Sequence, residues 1–152
     1  MPDWPASMTR AQYNAFCRAL PAATHVVQWG GAHVWKIGGK VFAIGRWEDG
    51  EAFITFKAGE IAYEVLKGEP GLRPAPYLAS RGLKWLQMHG AVLPAEEMRG
   101  HLRHSHAMVA AGLARKTRLA LGLNAAEAAS APLPHRSSRS GAVRDRKGNE
   151  TP

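Results

Sequence analysis

Between His25 and Lys57 the chain is written in short runs of β-branched and aromatic residues, broken at Gly30-Gly31, Gly38-Gly39 and Asp49-Gly50. Strands with tight turns read this way, and the spacing predicts an antiparallel meander. Asp49-Gly50 suits a two-residue type I′ hairpin, because both central residues of that turn need positive φ. Gly38-Gly39 is permissive for the same reason. An open sheet has to bury one face, so the flanking segments decide the fold class.

Thr9 followed three residues later by Gln12 has the form of a capping box, and Tyr13, Phe16, Cys17 and Leu20 repeat behind it at helical spacing until Pro21. Glu60 to Lys67 predicts a short amphipathic helix with Ile61, Val65 and Leu66 on its inner side and Gly68 at its end. Glu69 to Pro76 carries three prolines and is expected to be irregular. Tyr77–Ala79 and Leu83–Met88 read as two further strands around Arg81-Gly82. Pro94 opens a long helix, with Glu96 and Glu97 in its first turn and Met98, Leu102, Ser105 and Val109 as its inner stripe, reaching about Gly112. Arg115 to Leu121 is a last short, basic helix. The expected architecture is an α+β two-layer sandwich, an antiparallel sheet with helices packed on one face.

Residues 1–123 are expected to form one domain and residues 124–152, rich in alanine, serine, proline and arginine without apolar periodicity, a disordered basic tail. No apolar run is long enough for a membrane helix and the first residues lack a signal-peptide pattern, so a cytoplasmic location is expected. Cys17 is the single cysteine, which excludes an internal disulfide and a thiolate zinc site. Twenty basic against twelve acidic side chains give a net charge of +8. Residues 1–123 hold 15 and 9 of them, net +6, so the excess belongs to the expected domain and points to polyanionic partners.

Strand alternation across Asp49-Gly50 places Val41, Ala43, Trp47, Ala52, Ile54 and Phe56 on one face, the candidate core. The other face then holds Lys40, Phe42, Ile44, Arg46, Phe53, Thr55 and Lys57, cations alternating with rings. Such a face suits nucleic acid, since cations neutralise phosphates and rings stack on bases. It equally suits coverage by a loop, the tail or a second subunit. A two-residue turn at Gly38-Gly39 would send Trp35 and Ile37 to the cationic face, whereas a three-residue loop would send them inward and bring Lys36 out beside Arg46 and Lys57. Packing favours the second.

Trp29, Trp35, Trp47 and Trp85 are expected to pack in the core, Trp29 being the one a glycine loop could expose. His101, His104 and His106 share the long helix with Glu97, but no second cluster completes a metal shell. They are therefore expected on its solvated surface, with no metal or other cofactor. The chain contains no GxSxG, HExxH or P-loop sequence, and Gly38-Gly39-Lys40 lacks the spacing of a phosphate loop. No catalytic residue is nominated and enzymatic activity is not expected.

Trp29-Gly30, His33, the run Lys36-Ile37-Gly38-Gly39-Lys40-Val41-Phe42-Ala43, Phe56-Lys57, Pro76-Tyr77-Leu78, Lys84-Trp85, Leu93-Pro94 and Ser105-His106 together resemble the YjbR/MmcQ family of bacterial proteins. The resemblance spans about Thr9 to Leu121. The family pattern has an aromatic residue after the helix serine, where this chain has His106. The resemblance implies a frataxin-like (CyaY-like) fold and a DNA-binding role. Iron chemistry does not follow from such a fold, because frataxins use an acidic first helix and Thr9 to Leu20 contains Arg10 and Arg18 but no acidic residue.

The leading expectation is sequence-tolerant DNA binding through Lys36, Lys40, Arg46, Phe53 and Lys57 on the sheet, Arg81 and Lys84 on the later strands, and Arg115, Lys116 and Arg118 on the last helix. The alternatives are a protein-interaction or homodimer module using Phe42, Ile44 and Phe53, and a small-molecule binder with a pocket near Trp29, His33 and Tyr77.

Overall fold

The computed structural model describes residues 8–76, 78, 82–90 and 93–123. Its elements run α1 (Arg10–Arg18), β1 (Ala23–Gln28), β2 (Ala32–Ile37), β3 (Lys40–Glu48), β4 (Glu51–Lys57), α2 (Glu60–Leu66), β5 (Leu72–Pro74), β6 (Trp85–His89), α3 (Ala95–Ala111) and α4 (Arg115–Ala120). The six strands form one antiparallel sheet in the order β1-β2-β3-β4-β6-β5. Helices α1 and α3 pack side by side on it, joined where the His106 Nε2–H donates to the Pro21 carbonyl at 2.8 Å and where Arg103 lies over the Phe16 ring. The fold is α+β. Among the described residues no helix is long and apolar enough to cross a membrane.

Local chemistry accounts for much of this. The Thr9 hydroxyl accepts the Gln12 amide at 3.1 Å and the Gln12 side chain accepts the Thr9 amide at 3.0 Å, the reciprocal capping box that starts α1. Glu48 pairs with Glu51 and Asp49 sits at φ 52°, so the β3–β4 hairpin has the two-residue turn its Asp-Gly predicts. Met98, Leu102, Ser105 and Val109 are buried along α3 as their spacing predicts.

Packing decided other points differently. Ile37 pairs with Lys40, so Gly38-Gly39 is a two-residue turn and not the longer loop. Trp35 and Ile37 nevertheless lie in the core, because β3 carries a bulge: Trp35 pairs with Ala43 and Lys36 with Val41, leaving Phe42 as the extra residue. The bulge resets the alternation. It also turns Phe42 inward, fully buried with its ring edge-on to His106, so Phe42 belongs neither to a cationic face nor to an apolar docking surface. The bulge leaves a gap beyond the last β3–β4 pair, Ala43 with Phe56. Ser105 fills it: its hydroxyl accepts the Lys57 amide at 2.9 Å and donates to the Phe42 carbonyl at 2.7 Å.

Glu69–Pro76 is not wholly irregular, since Leu72, Arg73 and Pro74 pair with Met88, Gln87 and Leu86. Pro74 lacks an amide hydrogen and is tolerated because β5 is an edge. In α2 the inner stripe is Tyr63 with Ala62 and Leu66, while Ile61 and Val65 point to solvent. A helix of under two turns can bury only one of two competing stripes, and the Tyr63 ring offers more area than either aliphatic side chain. Expected strand Tyr77–Ala79 and the tail 124–152 lie outside the described residues, apart from Leu78.

Candidate nucleic-acid interface

The nominated cations separate into groups. Lys36 is the penultimate residue of β2, Lys40 begins β3, Lys57 ends β4 and Lys84 precedes β6, so antiparallel pairing gathers all four at one end of the sheet. At the same end a Cβ on Gly38, whose φ is +58°, would sit 2.8 Å from Leu113 and 3.2 Å from Thr117. Only a glycine lets the hairpin close on the α3–α4 turn this tightly. That contact brings in α4, with Arg115 and Lys116 exposed on its first turn. Lys40, Val41, Lys57, Leu83, Trp85, Met108, Val109, Gly112 and Leu113 line a groove of about 450 Å³ here. None of these carries a carboxylate. Trp85 is half-buried and pairs across the sheet with Lys57. The Lys84 ammonium lies 4.9 Å from the centre of the Tyr63 ring.

Arg46 and Phe53 are cross-strand partners elsewhere, two rows from Lys36 on the sheet face opposite α1 and α3. The Arg46 guanidinium lies 4.9 Å above the Phe53 ring, and its Nε is 3.0 Å from a Glu48 carboxylate oxygen, a charge pair without hydrogen-bond alignment. This arginine is already neutralised. Arg118 donates to the Leu113 carbonyl at 2.5 Å and, more weakly, to that of Ala111, so it caps the carbonyl end of α3. Arg81 lies outside the described residues.

One arginine escapes the sequence reading. Arg73 donates through Nε and Nη2 to the Gln87 side-chain oxygen at 2.9 and 2.6 Å, and Gln87 donates to the Thr55 hydroxyl at 3.2 Å, a polar row across the middle of the sheet. The alternation of Leu72 with Arg73 was its only signal, hidden among prolines. Arg73 borders a separate groove of about 480 Å³ with Trp29, Ile44, Arg46, Pro76 and Leu78. Trp29 is 61% exposed, whereas His33 packs towards α1, so the structure parts the two residues expected to share a pocket. Tyr77 lies outside the described residues.

His33 belongs to a network whose proton positions follow from its members. The Trp35 indole can only donate, and it donates to the Asn14 side-chain oxygen at 2.9 Å. The Asn14 amide nitrogen therefore faces His33 Nδ1, at 3.3 Å, and His33 Nδ1 must be the bare acceptor. His25 Nε2, 3.0 Å away, donates to the same nitrogen. Burial, His25 and Arg10 all hold the His33 pKa below its ordinary value.

Two of the α3 histidines are not on a solvated surface. His101 stacks on Phe56 at 4.8 Å, and burial depresses its pKa against the opposing pull of Glu97, 3.9 Å away. His106 is buried between Phe42 and the Pro21 carbonyl, and burial lowers its pKa too. No group of three or more metal-ligating side chains occurs among the described residues. Cys17 is buried, and desolvation holds its thiol protonated and unreactive.

The open six-stranded sheet, helices α1 and α3 on one face and the lysine-rich end define a small α+β fold. The chain belongs to the YjbR family, whose model matches residues 18–108. That span contains the hairpin, the bulge and Ser105 but not α4. Its fold is similar to the crystal structure of DR2400, a DUF419-domain protein of Deinococcus radiodurans, with a TM-score of 0.66 and 21% identity over 88% of this chain and 97% of that one. No curated protein matches the chain.

Proposed function

We propose that the protein binds DNA, without catalysing a reaction on it, through the basic end of the sheet. The observation that carries this reading is the carboxylate-free groove of Lys40, Lys57 and Trp85, with Lys36, Arg115 and Lys116 at the same end of the sheet, whereas Lys84 borders Glu60 and Glu64. Among the described residues Lys36, Lys40, Lys57, Arg115 and Lys116 form no ion pair, so phosphates meet cations that need not abandon a partner. Trp85, half-buried beside Lys57, offers an aromatic ring of the kind on which bases of single strands stack. Compared with the sequence expectation, the contact surface moves from the middle of the sheet, where Arg46 is paired and Phe42 buried, to its end.

Five phosphate contacts, one for each of these unpaired cations, predict a slope of log K against log salt of about −0.9 × 5, or about −4.5, for duplex DNA. Raising salt from about 50 to about 200 mM then weakens binding on the order of several hundredfold. Fluorescence anisotropy with a labelled duplex reads both quantities. Replacing Lys40 and Lys57 together by alanine flattens the slope by about two units at unchanged circular dichroism, while Arg46→Ala leaves it nearly as it was. A double variant that binds with the parental affinity and slope refutes the proposal.

A further inference from the structure

Among the described residues the strand order leaves two edges, and the fold treats them differently. β5 is three residues long, carries Arg73 and ends in Pro74, the devices by which a sheet edge is kept from recruiting another strand. β1 has none of them. It runs for six residues, Ala-Thr-His-Val-Val-Gln, with no proline, glycine, lysine, arginine, aspartate or glutamate. Thr24 to Val27 are exposed; Val26 is 36% exposed, Val27 52%, and Trp29 just beyond the strand 61%. The strand is also held firmly in place for a new neighbour. His25 stacks on His33 and lies 4.7 Å from the Trp35 ring, and its hydrogen bond to His33 joins it to the Asn14 network on α1.

We propose that β1 pairs antiparallel with β1 of a second copy of this chain, joining two six-stranded sheets into one twelve-stranded sheet across a two-fold axis. The strand's own sequence selects that occupant. Centred on Val26, the self-pairing sets Val26 against the partner's Val26, Thr24 against the partner's Gln28 and His25 against the partner's Val27. The centre is apolar and the ends are polar. Charge points the same way. On a chain of net +8, a two-fold contact opposes like charges wherever it includes a lysine or arginine, and β1 has neither. The contact is a single short strand with a few flanking side chains, so it falls at the small end of interfaces, with a dissociation constant on the order of micromolar. This inference is independent of the DNA reading, whose groove lies elsewhere.

Sedimentation equilibrium on the full chain, from about 1 to about 300 µM, tests it, a range set by that weak affinity. The expected result is a mass rising from monomer towards dimer, together with amide exchange in β1 that slows as concentration rises. Val27→Lys, at an exposed position, is expected to stay monomeric throughout with an unchanged circular dichroism spectrum. Should that variant misfold, Gln28→Lys at the strand end takes its place. A parent that stays monomeric over the whole range overturns the proposal. So does a dimer that persists in the lysine variant, or one that leaves the β1 amides as fast to exchange as in the monomer.

Discussion

Ser105 is the side chain on which the bulged sheet depends, and Ser105→Ala measures how much. Its hydroxyl, with no solvent exposure, is the partner of two backbone groups that the bulge takes out of the β3–β4 ladder, the Lys57 amide and the Phe42 carbonyl. Alanine fits the space but leaves both groups unsatisfied, at about 1 to 3 kcal/mol for each such buried group. Because Lys57 is only half-buried and water can reach its amide more readily, the lower part of the combined range applies, about 2 to 3 kcal/mol. At roughly 4 °C per kcal/mol, the figure for a fold of about a hundred residues, Tm falls by about 8 to 12 °C. Thermal unfolding followed by circular dichroism reads the total. Amide exchange followed by NMR locates it, since the Lys57 amide should lose protection relative to Phe56. A Tm loss under about 2 °C, with Lys57 still protected, would show that the sheet closes the gap without the serine.

Two further predictions concern burial. His33, His101 and His106 all have pKa values lowered by the fold, so below the ordinary histidine pKa of about 6.5 the unfolded chain takes up protons that the folded one refuses. Stability is therefore fully present above that pH and declines as pH falls through and below it; a urea midpoint constant between about pH 7.5 and 5 would contradict this, and His106→Gln, which can still donate to Pro21, should reduce the dependence. Gly45→Ala places a Cβ 2.7 Å from the Tyr13 ring and 2.9 Å from the Trp47 ring, and Tyr13 cannot retreat easily because its hydroxyl donates to the His33 carbonyl at 2.8 Å. The expected cost is about 1 to 3 kcal/mol in chemical denaturation, and a neutral result would mean that α1 floats on the sheet.

The elements the sequence determines by itself are those set by neighbours along the chain. A capping box, an Asp-Gly turn and an apolar stripe with period 3.6 act within a few residues, so α1, the β3–β4 hairpin and the inner face of α3 were legible before any packing was known. The net positive charge was legible too, but not its geography. Whether Trp35 pointed inward depended on a bulge at Phe42, and the groups that bulge exposes are satisfied by Ser105, 63 residues away. Alternation read along β3 could not register an extra residue whose partner lies on a distant helix. The same holds for α2, where burial of Tyr63 chose one stripe over the other, and for β5, which becomes a strand because β6 offers it an edge. Histidines that composition would place in water are buried because Phe42, Phe56 and the Pro21 carbonyl come to meet them. Arg46 and Arg118 look as available in sequence as Lys40 and Lys57; only the fold ties the first two to Glu48 and to the end of α3 and leaves the lysines facing an open groove. Local periodicity fixes which segments are helix or strand, while long-range contacts decide which face is buried and which charges remain free.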